Sequence, residues 1–355
     1  MQDKNTNKKD NTYRSLNKNQ KVTNLVIYNN TQSKKTSFVT KVRQNPGTTI
    51  FKKSLKMVAE FLIISWIVIT ITFFLINSVP GSSGLTTGLS EASKKAIEHR
   101  YGLDLPLFQR YLRYLIGIVR LDFGISLVMF PSVEINEFIW IKFWKSFLIG
   151  IFSVILTLLI GIPLGIWIGQ NPGGFLDNFS TVLISIISSI PSLVLALLLL
   201  FLGSKLNMPT MFDPSNIITY ILPGLALSMA STITYIKYLR TELNTELNSM
   251  HAKFAYLKGV TKSRFVWKHA LKPALFPIAT FFPGVILGSF LGSLFIEKVY
   301  FISGSGSTMI DAIQSKDYNV VLFMIIMYSV LIILSYSLRD ALYEVLDPRV
   351  RRGGK

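Results

Sequence analysis

Residues 249–277 read SMHAKFAYLKGVTKSRFVWKHALKPALFP, the longest basic segment lying between two strongly apolar ones. Met250, Phe254 and Leu257 recur at i, i+4 and i+7, which gives a short helix one apolar stripe, with Ala255 and Tyr256 beside it. Lys258 falls in the last turn, where the helix dipole favours a cation, and Gly259 just beyond it is the usual left-handed cap. Thr261 can then cap a second helix carrying Phe265, Trp267, His269, Ala270 and Leu271, which Pro273 is expected to end by restricting Lys272. The expected unit is a helix, a glycine elbow and a second helix. Its cations, Lys253, Lys258, Lys262, Arg264, Lys268 and Lys272, place it on the cytoplasmic side of a membrane.

Composition agrees with that placement. Half of the 355 residues are hydrophobic while the formal net charge is +18, a pairing that suits a membrane protein with basic ends better than a soluble domain. With no cysteine, disulfides, thiol chemistry and Cys-ligated metal are excluded. His99, His251 and His269 are the only histidines, and none has a metal-ligand neighbour at helical spacing. No HExxH, P-loop or GxSxG motif appears, so neither a cofactor nor a metal is expected.

Outward from the elbow the chain divides into apolar spans. Residues 1–56 are polar and basic, with Asp3 and Asp10 almost alone among acids, and read as a disordered cytoplasmic tail. The aromatic residues in it are too widely spaced for a nucleic-acid-binding arm, and no nucleic acid is expected as a partner. The first transmembrane helix occupies 57–79, with its apolar span at Phe61–Ser78, and 80–142, of mixed charge, reads as an external loop. The remaining core, 143–348, holds spans at Ser146–Gly169, Phe179–Ser204, Ile217–Ile236, Ala274–Ile296 and Asn319–Leu338, with the elbow at 249–273. Gly161, Pro163 and Gly165 are expected to loosen the end of the second span, Pro191 to kink the third, and Pro277, Pro283 and Gly284 to break the fifth. A basic cytoplasmic segment, 349–355, closes the chain. The result is an all-α integral membrane protein of about six spans with both termini inside, although the expected inner turn at Asn171–Gly174 has no basic residue of its own.

The elbow resembles the cytoplasmic coupling loop of ABC importer permeases, whose pattern is EAA, three residues, Gly, nine residues, then I-x-L-P. Ala255, Gly259 and Leu271 fall on pattern positions; Lys253 stands for the Glu, Phe254 for the first Ala, His269 for the Ile, and Lys272 at the Pro position. FAYLKG, KHAL and Phe276-Pro277 follow the form of the oligopeptide, dipeptide and nickel branch. Further words of that branch are matched in order by Tyr101–Pro106, Tyr111–Tyr114, Asp122–Ser126, the GIPLG and SIPS runs, Asp311–Ile313, Lys316–Tyr318 and Asp347–Arg351. The WPG corner that the branch carries after its IE pair is absent here, where the chain reads IEKVYFISGSG from Ile296.

That resemblance implies a type I importer permease in the bacterial cell membrane, one half of a translocation path, most closely the first permease subunit of an oligopeptide system. ATP hydrolysis would belong to partner ATPase subunits, so the chain itself is not expected to be an enzyme. The other implied partners are a second permease subunit, for which the family favours a paralogue, an extracytoplasmic solute-binding protein and the lipid bilayer. Met250, Phe254, Ala255, Tyr256, Leu257, Gly259, His269 and Leu271 are the candidate ATPase-coupling residues. Ser189, Pro191, Ser228, Gly288 and Ser289, with Glu297 at the outer end of its span, are the candidate path and gate. Peptides suit a path without charged residues; nickel or another small solute is the alternative cargo. An intramembrane enzyme would need ionisable groups deep in the spans, and the span interiors hold none; the other alternative, a non-ABC channel or proton-driven carrier, would show a charged relay or inverted repeats, and neither is visible.

Overall fold

The computed structural model describes residues 46–78, 91–102 and 104–346. It divides into two units, Met1–Val58 and Ala59–Lys355. Of the first, only helical residues 46–58 are described, and the account below concerns the second. The tail up to residue 45, the Pro80-Gly81 turn and the closing Asp347–Arg351 word lie outside the described residues.

Helix α1 spans Pro46–Ser78, so the expected tail boundary at 56 is not a structural one. A proline fits the first helical position, where its missing N–H has no partner to lose. Helices α2 (Glu91–Tyr101) and α3 (Leu107–Val119) follow. Tyr111, Tyr114 and Leu115 of α3 pack with Ile69, Phe73 and Phe74 of α1, and the Tyr111 hydroxyl lies 2.6 Å from Thr70 Oγ1. Thr70 is about 12 Å along α1 from its end, which places α3 beside the apolar part of a span. The segment read as an external loop thus contributes a membrane-flanking helix, because α3 is apolar on the face that meets α1.

Helix α4, Ile135–Gly169, begins well before the expected Ser146. Ile135, Ile139 and Phe143 recur every fourth residue and are buried against Val320, Phe323 and Met324. At its other end, Gly161 and Gly165 do not loosen the helix, which runs unbroken to Gly169. Gly161, Gly165 and Gly169 form a ladder on which α7 (Ile221–Leu247) lies; an added Cβ at Gly165 would stand 2.9 Å from the Leu239 Cβ. The glycines are there for close approach of two helices.

The third span is broken and not merely kinked. Helices α5 (Phe175–Ser189) and α6 (Ser192–Lys205) meet at Ile190-Pro191 with a bend of 100°. Ile190 is extended, at φ −88° and ψ 125°, as a residue before proline prefers, and Pro191 is extended too, so the hydrogen-bond ladder stops. The pair still crosses. Asp177 at its start meets Arg240 late in α7, and Gly203 at its end packs on Leu222 early in α7. Those two positions are about 27 Å apart along α7, and helices of about 22 and 21 Å set at that bend reach about 28 Å end to end. Five other helices are long and apolar enough to span, so the crossings number six among the described residues, an even count that returns the chain to its starting side.

After α7 come α8 (Met250–Leu257), α9 (Lys262–Phe265), a π turn (Val266–Ala270) and α10 (Leu271–Leu291). Pro273 does not end the second elbow helix, and Pro277, Pro283 and Gly284 do not break the fifth span. The π turn ends three residues before Pro273, and a membrane interior penalises any alternative to helix. The break falls instead at Gly292, at φ +67°, before α11 (Leu294–Val299). Helices α12 (Ser305–Gln314) and α13 (Tyr318–Leu346) complete the described chain.

Candidate functional site

The elbow is built from its caps inward. Ser249 accepts a hydrogen bond from the Ala252 N–H at 3.1 Å and starts α8. At the other end the Gly259 N–H donates to the Tyr256 carbonyl (2.9 Å) and the Val260 N–H to the Ala255 carbonyl (3.1 Å), with Gly259 at φ +81°. This is a Schellman cap, and its hydrophobic half is present as well, since Ala255 and Val260 pack on one cluster. Thr261 caps α9 through the Arg264 N–H. Phe265, fully buried, is ringed by His251, Tyr256 and His269 at centroid distances of 5.2, 5.4 and 5.7 Å. That aromatic group ties α8 to the π turn.

Beneath it, Ala252, Phe265, Val266 and Ala270 share a buried cluster with Ile166 of α4 and Tyr235, Leu239 and Leu243 of α7. The elbow is therefore continuous with the ends of two spans through packed side chains. Packed side chains thus join α8 to α4, α7 and α10.

The candidate coupling residues separate into two sets. Met250, Phe254, Tyr256 and Leu257 are exposed, Leu257 at 83 %, and so offer an apolar tip. Gly259 and His269 are also exposed. Ala255 and Leu271 are half-buried against the cluster beneath and so support the elbow.

Basic groups absent from the 171–174 turn arrive from elsewhere. Lys262 Nζ donates to Asn171 Oδ1 at 2.8 Å, and Arg240 pairs with buried Asp177, its Nη2 3.0 Å from Oδ2. The Asp177 carboxylate also accepts from the Gly173 N–H at 2.8 Å. Turn and elbow thus lie together, with a cleft of about 330 Å³ between them lined by Pro172, Leu247, Asn248, Tyr256 and Lys262.

The candidate path residues are not brought together. Ser189 and Pro191 are exposed at the α5–α6 break, and the Ser189 hydroxyl bonds its own helix at the Ser185 carbonyl. Ser228 is buried, where its carbonyl faces Thr157 Oγ1 at 3.5 Å, and Ser289 is buried against Gly150 of α4, so both are helix-contact residues. Gly288 borders open space. Glu297 does not line an open path: at 3 % exposure it accepts from Ser146 Oγ (2.6 Å), the Ser307 N–H (2.8 Å) and the Ser293 N–H (3.4 Å). Gly292, Gly304 and Gly306 surround its carboxylate so closely that a Cβ on any of them would lie within 3.1 Å of it.

Sequence reasoning assigned no role to Asp317. Fully buried, it accepts from Ser126 Oγ (2.5 Å) and from the N–H groups of Leu127 (3.3 Å), Val128 (2.9 Å) and Met129 (3.0 Å). The signal was the pair of words Asp122–Ser126 and Lys316–Tyr318, which this carboxylate joins.

Compared with known families, residues 161–352, more than half of the chain, match the binding-protein-dependent transport system inner membrane component. The dipeptide transport system permease protein of Bacillus subtilis is 31 % identical over 85 % of this chain and 97 % of its own length. The chain belongs to this permease family. The permease is 30 % identical to the dipeptide transport system permease protein of Lactococcus lactis, over 84 % of this chain and 99 % of that one. It is also 28 % identical to an oligopeptide transport system permease protein of Bacillus subtilis, over 79 % and 93 %. It is a multi-pass component of the bacterial inner membrane and a transport subunit of an ABC importer, not an enzyme. Its family works with ATPase subunits, a further permease subunit and a solute-binding protein.

Proposed function

We propose that the permease forms half of the path of an ATP-driven importer of short peptides, and that the α8 tip is where its ATPase partner pushes. The observation that carries the reading is the exposed apolar tip of Met250, Phe254 and Leu257 standing on a cluster shared with α4 and α7. A partner cleft closing on that tip would move the elbow as a lever and rock α7 and α10. The second permease subunit is proposed to be a paralogue, and the binding protein to supply most of the selectivity. Peptide cargo is favoured by the names of the relatives above, and by the engagement of the buried acids at the span ends, Asp177 and Glu297, with protein groups. Such a path presents few fixed charges to a solute whose own charges vary with sequence.

The test combines copurification with uptake. The tagged permease, gently extracted, should bring down an ATPase and a second permease chain, and a deletion strain should lose uptake of labelled di- and tripeptides that the wild-type gene restores. Copurification without any peptide uptake, together with restored uptake of nickel, would move the cargo and leave the machine in place.

A further inference from the structure

We propose that Arg264, Lys268 and Lys272, with the Trp267 indole beside them, form a binding site for the phosphate headgroup of an anionic phospholipid at the root of the elbow. The three cations recur at i, i+4 and i+8 and are all exposed. The opposite face, Phe265, Val266, Ala270 and Ala274, is buried in the cluster shared with α4 and α7, so the cations form one outward stripe. Trp267 is 58 % exposed within that stripe.

Among the described residues nothing neutralises it. Residues 249–273 contain no acid, and among the described residues none of the three cations forms an ion pair. Two nearby cations are different: Lys262 is engaged with Asn171 and Arg240 with Asp177.

Position selects the occupant. Helical structure continues from Lys262 to Leu291, within one of the candidate spans, so the stripe lies where the apolar crossing begins. Long basic side chains at a span end extend to the headgroup layer, and an exposed indole favours that same layer. Charge complementarity then specifies an anionic lipid over a zwitterionic one. The apolar tip proposed for the ATPase is on another helix, α8, so one surface need not serve both. A lipid bound here would brace the helix that carries the elbow's motion into α10.

Native mass spectrometry of the full chain, extracted from membranes containing phosphatidylglycerol and phosphatidylcholine, tests this without any transport step. The wild type should retain phosphatidylglycerol. Each cation near an anionic surface is worth about fivefold in binding, so Arg264→Gln/Lys268→Gln/Lys272→Gln should lower retention about a hundredfold. Arg264→Lys/Lys268→Arg/Lys272→Arg, which keeps the charge, should retain it, as should Lys253→Gln/Lys258→Gln on and beside α8. The proposal is overturned if the neutralised triple variant retains the lipid like wild type. It is equally overturned if the charge-keeping variant, extracted as a monodisperse folded chain, fails to retain it. A neutralised variant that keeps its lipid but no longer copurifies with an ATPase would assign the stripe to that partner.

Discussion

Gly259 carries the shape of the elbow in one backbone angle. Its φ of +81° is the left-handed region, while an added Cβ would meet nothing within 4 Å, so any substitution there is a matter of strain and not of collision. Such strain amounts to about 1–2 kcal/mol for an ordinary side chain, enough to tilt α8 against α9 without unfolding six spans. We therefore expect Gly259→Val and Leu257→Glu to insert at normal levels and to copurify with at least tenfold less ATPase. Gly259→Asn, which tolerates that region, should stay near wild type. Normal ATPase recovery with both Gly259→Val and Leu257→Glu would remove α8 from the interface. Glycine has the opposite meaning at 304. There a Cβ would stand 2.4 Å from Ser146 Oγ and 2.6 Å from Glu297 Oε2, and both atoms are held in a buried network. Gly304→Ala should lower stability by about 1–3 kcal/mol, seen as a lower melting temperature in detergent. Gly284→Ala, facing open space, should leave it unchanged.

At the scale of elements, the packing of α4 on α7 joins two spans to the elbow. Gly161, Gly165 and Gly169 share one edge of α4, and the backbone of α7 comes within contact distance of all three. Gly165→Val would force Leu239 and the Ile236 backbone away, at a cost of about 1–3 kcal/mol by overpacking. The same change should uncouple ATP hydrolysis from solute, because Leu239 also lies in the elbow's cluster. ATPase activity that remains solute-stimulated in this variant would show that α4 and α7 move as separate bodies. The bend between α5 and α6 is fixed by pins at its two ends. Arg240 holds Asp177 at one, and Leu222 receives Gly203 at the other.

For the molecule as a whole, sidedness is the property on which the functional reading depends. The elbow and the 171–174 turn are joined by Lys262 and Asn171 and must share a side. The Asp213–Ser215 segment belongs to the other, since Phe212 bonds the Tyr300 carbonyl beyond the outer end of α11. The chain has no cysteine, so single cysteines report cleanly. Cysteine at Ser215, which is exposed, should react with an impermeant maleimide added to intact spheroplasts; cysteine at Ser263 should react only after lysis. Labelling of Ser263→Cys from outside would invert the permease. Asp317 contributes at this scale too. By holding the Ser126 hydroxyl and the 127–129 backbone it fastens the segment before α4 to the start of α13.

The apolar runs by themselves determined that the chain crosses a membrane about six times. The reason is local: a stretch of about 20 uncharged residues in hydrocarbon has no option but helix. The elbow was legible for a similar reason, since Ser249, Gly259 and Thr261 act through caps within a few residues of themselves. What only the tertiary structure decided depends on which helix faces which. Prolines 273, 277 and 283 are carried inside helices, while Pro191 marks a full break. Ala255 and Leu271 turn inward because the cluster formed with α4 and α7 lies beneath them. Ser228 and Ser289 are packing residues for the same reason, and Glu297 and Asp317 are fasteners because donors from distant segments converge on them. Sequence spacing shows the face a residue occupies on its own helix, but burial is settled by the helix that arrives against that face.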